Sequence, residues 1–349
     1  MRHKNHFGGD GLQRTNGLPW LLCLELVRIS VHLWPMSLLV STRFYLSFIK
    51  PISAFICQTF GWQWVYYSYG MASIMWALLW ASYARDSPAE MRSIDEAERK
   101  FIEEDLQQTV KHKILLRDIP WLRIFTNFTF IGLCLTGFCQ AITDFVMLEM
   151  LPQYLSKVKK LSLTKNGIAS AIPLFTNVST AFIGTLIIDF ILRSKPDLKR
   201  TTARRTSSTL GLVPGIILVC IFSYTNMLNN YAIIILTSIY GLSALATICR
   251  DPVLVDMAPL MAGTLHGLID TIYSLGGIVV PIMCNSLLDS NPVLDSSWVP
   301  VWTALTVALS SWLLIYNTTV ESQEASFSIA LNLYQTFDDE SIVTIIADA

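Results

Sequence analysis

The chain has 349 residues, 52% of them hydrophobic and only 15% charged, and its mean hydropathy is +0.48. A soluble domain carries about 25% charged residues, so this composition excludes an ordinary soluble protein and implies a polytopic membrane protein. The formal net charge of −1 excludes the overall basic field on which nucleic-acid binding rests.

Residues 1–37 are an irregular amino-terminal region. Residues 1–17 are polar, and the apolar stretch from Leu18 to Val40 is too long for a secretory signal and carries Glu25, Arg28 and His32. It reads as a poor span, an interfacial helix or an altered amino terminus. Residues 38–60 are a weaker span, interrupted by Arg43 and Lys50-Pro51. A span needs roughly 20 mostly apolar residues, and the clear candidates are 62–83, 122–150, 167–192, 208–226, 231–249, 262–288 and 298–316. After 62–83 the apolar run breaks at Arg85-Asp86-Ser87-Pro88. In the charged segment Ile94–Glu104, Ile94, Glu98 and Phe101-Ile102 fall at helical spacing. Apolar sequence resumes at Ile119-Pro120-Trp121. The stretch 84–120 predicts a cytoplasmic hinge with a polar helix, which would equally suit a solvated connector. The tail 317–349 ends acidic, at Asp338, Asp339, Glu340 and Asp348.

Orientation follows from Lys and Arg in the connections. Seven lie in 84–120, six in 193–205 and one, Arg250, in 250–261, all on one side of the membrane. The opposite side holds Lys157, Lys159, Lys160 and Lys165, and none in 227–230 or 289–297. This places 84–120 and the carboxyl tail in the cytoplasm, with the four lysines as the dissent.

Ionisable residues inside spans are functional candidates because their burial is costly. Asp144 and Glu149 lie on 122–150, Glu149 close enough to its end to be wet. Gln140 on the same span can hydrogen-bond a carboxylate or a neighbouring helix. His266 and Asp270 are four apart on 262–288 and share one helical face. There they could relay a proton or bind a coupling cation, or simply lock to each other or to Arg250. Lys50 could meet an anion or snorkel to the surface. Gly263, Gly267, Gly276, Gly277 and Pro281 predict close packing and a bend. Asn127, Asn177 and Asn317 match the glycosylation acceptor pattern, the first two inside spans and the third on the cytoplasmic side, so none is expected to be used. Seven scattered cysteines with no C-x-x-C pair predict neither a disulfide framework nor a zinc or other metal site. No Walker, HExxH or G-x-S-x-G sequence occurs, so no enzyme and no cofactor is expected.

Several motifs in order carry a resemblance. They are Gly61-Trp62, Ser87-Pro88, Ile94–Glu103, Pro120-Trp121, Leu151-Pro152-Gln153-Tyr154-Leu155, Asn166-Gly167 and Ser170-Ala171-Ile172-Pro173. They continue through Gly184, Asp189-Phe190, Arg193-Ser194-Lys195, Asp256-Met257-Ala258-Pro259, Ala262-Gly263, Gly276 and Pro281. Over roughly 45–317 the chain resembles the anion-transporter family of the major facilitator superfamily, which includes sodium–phosphate cotransporters, sialin and vesicular glutamate transporters. The resemblance implies an all-α polytopic membrane bundle with an incomplete amino-terminal half: a remnant at 38–83, the hinge 84–120 and a complete six-helix half at 121–316. The first four family helices are not recognisable, and 38–60 stands in for the fifth. Gly184 to Arg193 resembles the superfamily's cytoplasmic gating signature, which implies that Asp189 and Arg193 gate. Gln140 stands where vesicular glutamate members carry an arginine, which argues against glutamate as the solute. Asp270 replaces a family Asn, and Leu260 a family Arg.

The expected function is a secondary active transporter for organic or inorganic anions in the plasma membrane or a vesicular or lysosomal membrane. It would be coupled to Na+ or H+ and would work by alternating access, with Gln140, Asp144, His266 and Asp270 at the solute site. A genuine start at Met1 would call for a membrane partner to complete the cavity. The alternative is a non-transporting membrane protein or a truncated gene model.

Overall fold

The computed structural model describes residues 43–83, 96, 119–195, 198–225, 229–258, 261–288 and 294–321. The amino-terminal region, nearly all of the charged segment Ile94–Glu104 and the acidic tail lie outside the described residues. Every regular element among the described residues is helical.

The first described helix, α1 (43–60), stops at Gly61. Gly61 has φ +95°, a left-handed conformation that glycine adopts without steric cost. Its N–H donates to Cys57 O at 3.2 Å, capping the helix. The next helix, α2 (Trp62–Tyr83), folds back, so that the Tyr69 hydroxyl meets Ser53 Oγ at 2.8 Å and Ile49 O at 3.3 Å. No residue of α2 is buried.

Among the described residues, six helical segments are long and apolar enough to cross a membrane: Phe128–Lys157, Leu163–Ser194, Arg200–Tyr224, Tyr231–Met257, Ala262–Leu287 and Asp295–Thr319. The chain is therefore an integral, multi-pass membrane protein. The aromatic stretch 62–83, expected as a clear span, is a 22-residue helix but is not among the six. Its many Trp and Tyr rings are amphipathic and suit the membrane–water interface as well as its interior.

A short helix, α3 (Trp121–Phe125), leads to Asn127, whose side chain accepts from Phe130 N at 3.0 Å and caps α4 (Phe128–Phe145). The first span thus starts at 128 rather than 122, with Asn127 at its threshold. It also runs beyond 150. A π-helical turn, Val146–Met150, carries it into α5 (Leu151–Lys157). In an α-helix the N–H of residue 152 would serve the carbonyl of Leu148, but Pro152 has none. The wider turn passes this defect, and Lys50 Nζ of α1 donates to Leu148 O at 3.0 Å. Asp144 consequently sits near the middle of the span, not toward its end.

The other helices are α6 (Leu163–Ser194), α7 (Arg200–Tyr224), α8 (Asn229–Met257), α9 (Ala262–Leu287) and α10 (Val299–Thr319). At about 1.5 Å per residue, the 32 residues of α6 are about 48 Å long and outrun the hydrocarbon core. Packing runs around the bundle: α10 lies between α4 and α7, α8 between α6 and α7, and α9 against α4. Small residues mark the closest approaches. A Cβ on Gly184 of α6 would lie 2.7 Å from Leu245 Cδ2, and one on Gly276 of α9 would collide with Ala141 Cβ of α4. Gly263 and Gly267, expected to pack closely, have nothing within 4 Å of a Cβ position.

Polar clasps tie the helix ends. On one side Arg204 and Arg200 of α7 reach Asp256 of α8 at 2.6 and 3.3 Å, and Arg205 donates to Val320 O. On the other side Asp295 accepts from the Tyr154 hydroxyl and from Lys159 Nζ, both at 2.8 Å. Tyr154 also sits edge-on among Phe222, Trp298 and Trp302.

Candidate functional site

Halfway along the spans, a buried cation of α1 reaches into the bundle. Arg43 Nη2 donates to Asp144 Oδ2 of α4 at 2.6 Å, and Nη1 donates to Asn177 Oδ1 of α6 at 2.5 Å. The guanidinium also faces the ring of Tyr240 on α8, 5.8 Å from its centroid, within the range of a cation–π contact. Asn177 uses its other end as well, donating Nδ2 to Tyr240 O at 2.7 Å. Two more donors converge on Asp144 Oδ2: the Tyr273 hydroxyl of α9 at 2.8 Å and Gln140 Nε2, one turn back on α4, at 3.3 Å. Arg43, Asn177 and Asp144 are all buried. A buried charge survives at membrane depth only when paired and hydrogen-bonded, and here four helices of the bundle supply the partners.

Beside this network lies a cavity of about 140 Å³ lined by side chains that include Arg43, Gln140, Asp144, Arg250, Asp270 and Tyr273. This is roughly ten times the volume that one water needs. The walls combine aromatic and aliphatic surface with convergent polar groups, the usual character of a small-molecule site. Three of the lining groups have unused hydrogen-bonding capacity, Arg250 Nη1, Gln140 Oε1 and the Tyr240 hydroxyl. Arg250 is only 1% exposed, and its other nitrogens are held by the adjacent Asp251: Nη2 at 2.9 Å and Nε at 3.0 Å from Oδ1. Gly137 of α4 keeps the space beside Nη1 open, since a Cβ there would lie 3.4 Å from it. The free N–H groups suit an acceptor oxygen, and the amide oxygen suits a donor on the same ligand.

Of the residues singled out from sequence, Gln140, Asp144 and Asp270 come together at this cavity. His266 does not line it, but its Nε2 lies 3.5 Å from Asp270 Oδ2. Glu149 is exposed in the π turn. Asp189 and Arg193 are far along α6 and form an exposed ion pair of 2.7 Å within that helix. Arg250, counted from sequence in a cytoplasmic connection, is instead buried inside α8, which runs on to Met257. The three glycosylation-pattern asparagines all have structural work. Asn127 caps α4, Asn177 holds Arg43, and Asn317 donates to Thr209 Oγ1 at 3.1 Å and Leu313 O at 3.0 Å.

Sequence reasoning missed Arg43, Asn177, Tyr240, Arg250 and Tyr273 as site residues. Arg43 carried a signal, a charge inside an apolar run, but was read only as an interruption. Arg250 fell just past the end of a hydrophobic stretch. Asn177 was noted only for its glycosylation pattern inside a span, and the two tyrosines carried no distinguishing signal. Among the described residues no three His, Cys, Asp or Glu side chains are grouped as a metal ion would require.

Residues 46–281 match the Major Facilitator Superfamily. Relatives include vesicular glutamate transporter 1 of Bos taurus, 30% identical over 239 residues, or 68% of this chain and 42% of that protein. Vesicular glutamate transporter 2 of Mus musculus is 30% identical over 241 residues, 68% of this chain and 41% of that protein. Vesicular glutamate transporter 3 of Danio rerio is 30% identical over 246 residues, 68% and 40%. The chain spans about two fifths of the length of these relatives.

Proposed function

The chain belongs to the Major Facilitator Superfamily, and from that premise we propose that it takes part in secondary active transport of a small organic or inorganic anion. The single observation that carries the anion is Arg250, a guanidinium 1% exposed, with Nη1 unpartnered, on the wall of a cavity at membrane depth. A buried cation with spare donors is a ready ligand for a carboxylate or phosphate oxygen. Gln140 Oε1 adds an acceptor for a hydroxyl, an ammonium or a protonated oxygen on the same molecule. The relatives are transporters by name, which supports transport rather than catalysis. Glutamate, the solute in their names, enters the list of anions to be tested.

Asp270 fits the coupling ion, Na+ or H+. It is the more exposed of the two cavity carboxylates, 53% by side chain, and has no guanidinium within ion-pair distance among the described residues, only His266. In transporters of this kind the solute sits near the midplane and the two bundles rock around it. Here the rocking would carry the α1–α2 hairpin relative to the six-helix bundle. The density of Lys and Arg at the α6–α7 turn supports a cytoplasmic position for that side and for the carboxyl tail.

The test is uptake of radiolabelled phosphate, L-lactate and L-glutamate into proteoliposomes holding the full chain, with imposed Na+ or pH gradients. Uptake of at least one anion, reduced at least about tenfold by Arg250→Ala as expected for a lost charge-assisted contact, supports the reading. Absence of gradient-driven uptake for every anion rejects it in favour of a non-transporting membrane protein. Uptake unchanged by Arg250→Ala would remove the arginine from the site.

A further inference from the structure

We propose that Arg43 sets the charge preference of the cavity: α1 delivers a tethered cation to the middle of the bundle, and that cation makes an otherwise acidic pocket receptive to an anion. The inference rests on the anion reading above and goes beyond it by assigning the selectivity to a residue outside the six-helix bundle.

The charges around the cavity can be placed one by one. Asp144 and Asp270 line it, as do Arg43 and Arg250. Arg250 is held by Asp251, which is buried beside it. On the cavity lining itself Arg43 and Arg250 balance Asp144 and Asp270, and without Arg43 there would be two carboxylates to one guanidinium, a site for a cation. With Arg43 in place, 2.6 Å from Asp144, that carboxylate is compensated and no longer repels an anion lodged against Arg250. At close range one unit of charge alters ligand preference strongly. The arginine is not a loose surface charge. It is buried, and it is fixed by Asp144, Asn177 and the Tyr240 ring on three different helices.

A purely structural ion pair and a charge-setting one make different predictions. Losing either half of a structural pair harms the site in the same direction. If Arg43 sets the charge, the two single variants move anion binding in opposite directions, and the double variant cancels them. The experiment is ligand-induced thermal stabilisation of the purified full chain in detergent. The probes are potassium phosphate, potassium L-lactate and potassium L-glutamate, with ethanolamine hydrochloride as the cation and potassium chloride as the control. Arg43→Gln should raise the anion concentration for half-maximal protection about tenfold, and Asp144→Asn should lower it by a similar factor. Arg43→Gln/Asp144→Asn should return to within about threefold of the starting value. Arg43→Lys, which keeps the charge, should stay close to the parent.

Loss of anion protection in both single variants overturns the proposal, as does a double variant no better than Arg43→Gln. Should Arg43→Gln fail to fold, Asp144→Asn decides alone: tighter anion binding supports the proposal and weaker binding overturns it. Should no anion protect the parent chain, the anion reading fails first. The role of Arg43 is then read from ethanolamine, whose stronger protection of Arg43→Gln than of the parent supports it and whose equal protection overturns it.

Discussion

At Gly276 the packing leaves no room for one more carbon. A Cβ there would collide with Ala141 Cβ on α4, and the backbone carbonyl carbon of Ala141 lies 3.4 Å away, so the strain cannot be relieved by turning a flexible side chain. Gly276→Val should therefore push α9 away from α4, at a cost of about 1–3 kcal/mol, the usual range for overpacking. Gly263→Val, on the same helix with nothing within 4 Å, should change stability little. Thermal melts of the two variants check the pair, and equal destabilisation would contradict the packing. The sequence showed five small or kinking residues on one span and could not rank them. Spacing shows which glycines share a helix, whereas only the neighbouring helix shows which of them it touches. The same limit hid Arg43. Hydropathy registers a charge in an apolar run as a penalty, and its remedy is a carboxylate 101 positions away. His266 and Asp270 were legible as a pair because their partner lay within one turn.

Between neighbouring elements, the junction of α1 with the π turn is the feature most open to test. Lys50 lies seven residues, about two helical turns, beyond Arg43. The two cations grip the same span at Asp144 Oδ2 and Leu148 O. Lys50→Met should leave a carbonyl at membrane depth short of a donor, a loss of about 1–3 kcal/mol. Pro152→Ala restores the missing N–H and lets the segment close into a regular α-helix. In that background Lys50→Met should cost markedly less. A double-mutant cycle read from thermal melts gives the coupling, and strict additivity would mean that Lys50 does not compensate for the proline. Element boundaries were legible where a cap or a helix breaker sat at the expected end, as Gly61 does. They were misplaced where the helix continued through polar residues. The α8 span was cut at 249 because Arg250 and Asp251 look like loop residues. They remain helical because they neutralise each other inside the bundle. The stretch 62–83 is helical over the expected residues but is not among the six apolar segments, since its aromatic rings lengthen an apolar run without making it strongly hydrophobic.

Across the whole molecule, the clasps at the helix ends sort the connections into two faces without any assumption about the membrane. Thr129 Oγ1 donates to Thr319 O, and Arg200 and Arg204 bind Asp256. These contacts put the start of α4, the α6–α7 turn, the end of α8 and the end of α10 on one face. Asp295 joins Tyr154 and Lys159 on the other. The lysine loop that dissented from the charge rule lies on this second face, and part of its charge is cancelled there: the Lys159 side chain is only 6% exposed and is paired with Asp295. Lys and Arg then favour a cytoplasmic first face. Glycosylation mapping tests this directly. In cells that glycosylate, the unaltered chain should show no mobility change on treatment with a glycosidase that removes N-linked sugars. Asn177 is buried and bonded at both ends of its amide, Asn317 lies on the face assigned to the cytoplasm, and Asn127 is folded onto the α4 amino terminus beside it. An acceptor sequence inserted in 289–293 should be glycosylated, whereas one inserted in 195–199 should not. The reverse pattern would invert the topology and move the basic α6–α7 turn outside. Glycosylation of the unaltered chain at Asn177 would show that the Arg43 network does not form during synthesis, and the charge assigned to the cavity would fall with it.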